Sequence, residues 1–439
     1  MANVAQQLAQ YALKSADIMI PKQGVDLSKW AVVACDQYTS EPQYWEQVAQ
    51  DVGDAPSTLH LIYPEVYLEE ANPQKRIDSI NAKMKSYLEQ QLFTTFPDCF
   101  FLVHRSTPNN PKGRWGLLVT LDLEHYDYAK DSKTLIRATE GTILSRIPPR
   151  KEIRKNAPLE LPHIMVLIND ARRSVIERLA EKRDTLVQAY STPLMAGGGH
   201  LQAWVVDSVE DKQAIADAVA AMHADLDPDN PLLFAMGDGN HSLATAKSCW
   251  MDIKQHLSVD QRETHPARYA LVELENIFDP GLEFEPIHRV LFGVDGSTFE
   301  SEIRKVCESF EKRSIASLNE LVHAIKEADG KQKFGFCDQK GFVLYSLKAP
   351  EANIAAGTLQ LVIDSLLSQK KGTVDYIHGV ETTANLGKKP GNIALILPDV
   401  SKATFFETII KDSALPRKTF SMGEAHEKRY YMEARKIQA

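Results

Sequence analysis

The sequence predicts an α/β protein of the mixed α+β kind, with mixed sheets and flanking helices, and three observations carry that prediction. Short runs rich in Val, Leu and Phe read as buried strands, among them CFFLVHR at 99–105 and WGLLVTLDL at 115–123. From about residue 160 such runs alternate with segments whose apolar residues recur at helical spacing. Composition is that of an ordinary folded chain, 44% hydrophobic and 25% charged, with 22 Gly and 22 Pro in 439 residues. This excludes collagen-like, disordered and low-complexity classes, and the length exceeds what one simple core needs.

Taken in order, Val4, Leu8, Tyr11 and Ala12 predict a helix over 4–16, which Pro21 and Gly24 end. AVVAC at 31–35 reads as a buried strand, and Ser40-Glu41-Pro42 opens the next helix with a capping hydroxyl and an early proline. A helix over 72–93 precedes the two strands at 99–105 and 115–123, which STPNNPKG separates. Residues 124–160 are charged and broken by prolines. A strand at 163–168, a charged helix at 171–187, a strand at 201–206, a helix at 209–225, a strand at 231–236 and a helix from 240 follow. Later come the strand-like YALVELENI and PIHRVLF, helices over 297–312, 315–328, 356–368 and 401–412, and strands at 333–337 and 341–347. A strand–helix–strand unit spans 373–397, and no internal repeat is visible. Two parts are expected: a main α/β domain over 1–290 and a C-terminal α/β domain over 291–439.

The formal charge of -9 argues against a dedicated nucleic-acid binder. Five scattered cysteines, Cys35, Cys99, Cys249, Cys307 and Cys337, with no C-x-x-C pair, argue against a disulfide framework or a structural zinc. No basic stretch followed by an apolar run opens the chain, and no run of about 18 apolar residues occurs. The expectation is a cytoplasmic protein without a membrane partner.

The strongest chemical signal is PLLFAMGDGNHSLATAK, where a buried strand reaches Gly237, turns at Asp238-Gly239 and starts a helix. Glycine lets the backbone approach a ligand, and the first N–H groups of a helix lack intrahelical acceptors. With the helix dipole they favour a phosphate or carboxylate. Asp238 could hold Mg²⁺ beside that phosphate, and His241 could donate a hydrogen bond or move a proton. The plain alternative, an Asp238 or Asn240 helix cap with a structural His241, weighs about equally from spacing alone. Asp36, in Cys35-Asp36-Gln37-Tyr38 at the end of the AVVAC run, is a second candidate, with a turn residue as its bland meaning. Cys35 has no basic neighbour to activate it. His288 and Arg289 could contact an anionic substrate, and Arg417 and Lys418 could neutralise phosphate; a surface pair and a solvated basic segment are the alternatives. Arg137, Arg146, Arg150 and Arg154 invite the same two readings. Gly197-Gly198-Gly199-His200 could be a lid or a hairpin turn. P-loop, dinucleotide, H-E-x-x-H, G-x-S-x-G and protein-kinase signatures are missing.

From VVACDQYTSEPQYW through MGDGNHSLATAK and GLEFEPIHRVLF to LPRKTFSMGEAH, the chain resembles a bacterial and archaeal family, domain of unknown function 1015. Family members usually read Asp-Gly-His-His-Arg where this chain has Asp238-Gly239-Asn240-His241-Ser242. They read Pro-Pro-Tyr-Asp near Ala34-Cys35-Asp36-Gln37-Tyr38, which marks this sequence as a divergent branch. The family motif is in turn similar to the phosphate-binding turn of the ParB/sulfiredoxin-like superfamily, which includes a kinase acting on free serine. The resemblance implies a phosphoryl-transfer enzyme in serine metabolism, with ATP or ADP and Mg²⁺ as expected cofactors. Asp238, His241 and Asp36 are then the catalytic candidates, and Asp238 would also hold the metal. Gly239, Asn240, Ser242, Arg417 and Lys418 would bind phosphate, and His288 and Arg289 the substrate. The alternatives are a phosphohydrolase acting on phosphoserine and a non-catalytic nucleotide or metabolite-binding protein.

Overall fold

The computed structural model describes residues 3–327 and 329–438. The chain divides into two units, Met1–Leu282 with Glu424–Ala439, and Glu283–Gly423. The last residues, Glu424–Ala439, thus group with the first unit. Fourteen α-helices and mixed parallel and antiparallel sheets among the described residues make this an α+β fold. No helix among them is long and apolar enough to cross a membrane.

The first unit is built on one large sheet. Its main path runs Tyr126–Asp127, Ile136–Arg137, Phe234–Asp238, Met165–Ile168, Tyr269–Asn276, Arg114–Asp122, Phe93–Ser106, Gly199–Val206 and Val187–Leu194. Leu13–Lys14 and Ala16–Pro21 pair with Arg114–Asp122 and Phe93–Ser106 off that path. Successive side chains of a strand point to opposite faces. Phe101, Val103 and Leu118 therefore enter one apolar core, while Phe100, Leu102, Leu117 and Val119 enter the other. A sheet buried on both faces explains why these runs are apolar without alternation.

The second unit carries a six-stranded sheet in the order Cys307–Ile315, Gly341–Pro350, Gln332–Asp338, Asn392–Ile396, His288–Phe292 and Thr373–Ile377. Every neighbouring pair in it is antiparallel. The helix Ala355–Ser368 buries Leu359, Val362, Ile363 and Leu366 among its core residues.

Four expected elements differ. The 4–16 helix stops at Ala9, and the chain turns into a strand at Leu13. Ala31–Ala34 is buried but joins no sheet; only Val33 bridges, to Tyr430. The charged helix expected over 171–187 and the helix expected over 297–312 end at Glu181 and Ile303. Strands Val187–Leu194 and Cys307–Ile315 follow them, each at the edge of its sheet. Edge strands with charged or polar outer faces lack the apolar signature of central strands.

The tail is stitched into the first unit by buried charge. Arg429 lies 2.6 Å from Glu273 and 2.5 Å from Glu433, all three at 2% side-chain exposure or less. Tyr190 also hydrogen-bonds Glu433, and Arg435 lies 2.7 Å from Glu160, which Arg154 approaches to 2.5 Å. Burial alone would raise the Glu160 carboxyl, but Arg435 and Arg154 hold it below its ordinary value. Apolar and backbone contacts add to this, since Trp30 Nε1 donates to Met432 O at 2.9 Å and Met19 and Ala434 exchange backbone hydrogen bonds.

Removing one partner of such a network leaves the others charged and buried. Arg429→Met is expected to destabilise the first unit by about 3–5 kcal/mol, read as a lowered denaturant midpoint. A loss below about 1 kcal/mol, the scale of an exposed pair, would show that the network does not hold the tail.

Candidate functional site

The strand Phe234–Asp238 delivers the chain to Gly239, which adopts φ +82° and precedes the helix Asn240–Lys254. A Cβ at this position would be strained by the left-handed backbone and would lie 3.2 Å from Ile164 Cα. The helix has no side-chain cap. The capping role considered for Asp238 and Asn240 is thus not what these side chains do. Asn240 Oδ1 accepts the Thr139 N–H at 3.3 Å, and His241 Nε2 accepts the Ile143 N–H at 3.2 Å. Both side chains anchor the loop 139–143 against the helix start.

Asp238 accepts the Gly239 N–H at 2.9 Å through Oδ1, and its Oδ2 lies 3.2 Å from Lys428 Nζ. Burial works against its charge, but Lys428, the Gly239 N–H and His163 together hold the carboxyl below its ordinary value. Asp238 is therefore an ammonium's partner. No cluster of three metal-ligating side chains among the described residues includes it. A divalent cation there would have to displace Lys428, so this donor set does not fit Mg²⁺ as it stands.

Ser242, at the first helical turn, has its Oγ 2.7 Å from His163 Nε2. His163 stands just before the strand Met165–Ile168, which pairs with Phe234–Asp238. Its Nδ1 is 2.9 Å from Tyr431 Oη, which accepts the Cys35 N–H at 3.2 Å. Ser242, His163, Cys35 and Tyr431 line a cavity of about 140 Å³. Glu65 and Arg150, a bidentate pair, line it too, with Arg150 Nε 2.7 Å from Glu65 Oε1. Burial pushes the Cys35 thiol and the Tyr431 phenol well up, so both are neutral.

The remaining candidates fall as follows. Asp36 accepts a hydrogen bond from Gln37 at 3.0 Å, and its charge acts on Glu65 and Tyr431. Arg137 binds the carbonyls of Thr134, Asn230 and Pro231, and Arg154 pairs with Glu160, so both are structural. Gly197–Gly199 form a hairpin turn rather than a lid. A Cβ at Gly198 would strike Tyr430 Oη at 2.5 Å, and one at Gly199 would strike Ser106 O at 2.0 Å.

His288, Arg289, Arg417 and Lys418 belong to the second unit. His288 is buried, and its Nδ1 accepts the Leu397 N–H at 3.1 Å. Arg289 is also buried, against Tyr376 with 5.2 Å to the ring centroid. The surface pair weighed for these two is thus a core pair. Arg417 and Lys418 are exposed.

Sequence reasoning missed Lys428, His163 and Tyr431. Lys428 and Tyr431 lie far from the turn in sequence, and His163 is a lone histidine at a strand entry; no spacing links them.

Burial, with Arg289 beside it, pushes His288 down to about 4. The unfolded chain then binds the proton more readily than the folded one, so stability is full above pH ~6.5 and is lost as pH falls toward ~4. His288→Asn is expected to flatten that part of a plot of melting temperature against pH; an unchanged slope would assign it to other groups.

The sequence pattern of the family described as "protein of unknown function (DUF1015)" matches residues 19–366. No curated protein matches. Solved structures that resemble the chain include a free serine kinase mutant in complex with AMP, at 9% identity and a TM-score of 0.37. That match covers 73% of this chain and 91% of the other. A conserved hypothetical protein from Pyrococcus furiosus matches at 10% identity and a TM-score of 0.34, over 73% and 95% of the two chains. SbnI from Staphylococcus aureus, with a C-terminal truncation, matches at 10% identity and a TM-score of 0.35, over 69% and 81%.

Proposed function

We propose that this chain, which belongs to the DUF1015 family, binds the phosphate of a nucleotide or phosphometabolite at the Asp238 turn and transfers its phosphoryl group to a small, serine-like hydroxyl compound. The observation that carries the reading is the meeting of an uncapped helix start with a lysine in one unit. N–H groups at the start of Asn240–Lys254 donate to phosphate oxygens, helped by the helix dipole. The Lys428 ammonium offsets phosphate charge, and Asp238 holds that ammonium in place. Charge neutralisation thus falls to Lys428 rather than to a cation on Asp238. ATP or ADP is the nucleotide proposed. Positioning and electrostatics supply most of such catalysis, and the reading needs only groups of the first unit.

Calorimetric titration with ADP and with phosphoserine tests the binding step. Lys428→Met is expected to weaken binding by roughly tenfold or more, the worth of a charge-assisted hydrogen bond at ~1.5–3 kcal/mol. Asp238→Asn is expected to slow transfer from ATP to free serine while circular dichroism shows an intact fold. Failure of the wild-type protein to bind either compound, or equal binding by Lys428→Met, would overturn the reading. Phosphate released from phosphoserine without nucleotide would replace the kinase with a phosphohydrolase, and binding without turnover would leave a nucleotide or metabolite-binding protein.

A further inference from the structure

The cavity beside the turn contains chemistry that phosphate binding does not use. Ser242 Oγ, His163 and Tyr431 Oη form a chain of short contacts, 2.7 Å and 2.9 Å, and Tyr431 Oη also accepts the Cys35 N–H at 3.2 Å. In the tautomer with its proton on Nδ1, His163 donates to Tyr431 Oη and turns a bare Nε2 to the Ser242 hydroxyl. A serine hydrogen-bonded to a histidine whose far nitrogen is held by a third group is the arrangement that activates a nucleophile.

We propose that Ser242 is a nucleophile, with His163 as its base, that takes the acyl group from esters bearing a short apolar acyl chain. The cavity points to that substrate class. Leu61, Ile62, Leu68, Ile80, Met84 and Ile153 line it together with Ser242 and His163. Apolar walls with a few convergent polar groups are the usual form of a small-molecule site. Its volume of about 140 Å³ suits a small acyl group.

In the first step the Ser242 oxygen bonds to the acyl carbon and its proton moves to His163 Nε2. The carbon–oxygen bond to the alcohol then breaks, and the alcohol leaves with the proton from His163. Water, deprotonated by His163, attacks the acyl-serine, releases the carboxylic acid and restores the Ser242 hydroxyl. The negative charge that develops on the acyl oxygen lies at the N-terminal turn of the helix Asn240–Lys254, whose dipole favours it. The imidazolium formed in each step feels the carboxylates of Asp238 and Glu65. Tyr431 is a positioning residue in this scheme, since it acts through His163.

The test treats the full-length protein with an alkyl fluorophosphonate, which reacts with activated serines, and locates the adduct by peptide mass spectrometry. One adduct on Ser242 is expected, with slow turnover of p-nitrophenyl butyrate. Ser242→Ala should lose both, and His163→Gln should slow labelling by roughly a hundredfold. A wild-type protein without an adduct on Ser242 overturns the proposal, as does equal labelling of a folded His163→Gln. The outcome is separable from the phosphate reading. A labelled Ser242 in a protein that binds no nucleotide supports this proposal alone, and an unlabelled Ser242 in one that does bind overturns it alone.

Discussion

Arg429, caught between Glu273 and Glu433 in the interior of the first unit, is the constraint on which much else in this protein depends. Taking three charges out of water costs several kcal/mol for each ion, and only close pairing with further hydrogen bonds offsets that cost. The arrangement therefore tolerates little displacement. It fixes the segment around Arg429 against the strand Tyr269–Asn276 from one side and against Val33–Ala34 from the other, where Ala34 N–H donates to Arg429 O at 2.9 Å. The two residues that complete the candidate site, Lys428 and Tyr431, flank this anchor.

A second guanidinium group extends the same logic. Arg114 pairs with Glu275 at 2.6 Å, and Arg105 donates to His426 O at 3.1 Å and lies over the Tyr430 ring. Burial, with Arg114 close by, pushes Arg105 down to about 9. Alternate residues on Arg114–Asp122 and Tyr269–Asn276 otherwise feed apolar cores on both faces of the sheet. Charges at the ends of these strands are compatible with that packing because Arg114 and Glu275 pair with each other and tail carbonyls accept from Arg105 and Arg114. The cores give bulk stability through burial, while the ionic network gives the tail a single register.

Much of the architecture was legible from local pattern. The runs at 99–105 and 115–123 read as strands because burial on both faces makes them apolar throughout. Asp238-Gly239 read as a strand-to-helix turn because only glycine suits the backbone there, and the structure places it so. Edge strands were not legible. Cys307–Ile315 is charged along its exposed length, and a charged segment beside a helix reads as more helix. Ala31–Ala34 is as apolar as any strand, yet its partner is the chain's own tail rather than a sheet. Of the candidate site, the turn was legible but its meaning was not. His288 and Arg289 read as substrate contacts or as a surface pair, but no local feature announces that their strand is buried.

The sequence by itself determined the mixed α+β class, the helix start at Asn240 and the need for glycine before it, because these follow from periodicity and backbone sterics over a few residues. Only the tertiary structure decided that Lys428 neutralises Asp238, that His163 faces Ser242 and that Tyr431 holds the far side of that imidazole. Those pairings join residues that are distant in sequence, with Ser242 and His163 already outside any local window. Lys428 and Tyr431 reach their partners because Arg429, between them, is held by Glu273 and Glu433, and contacts of that kind leave no local signature.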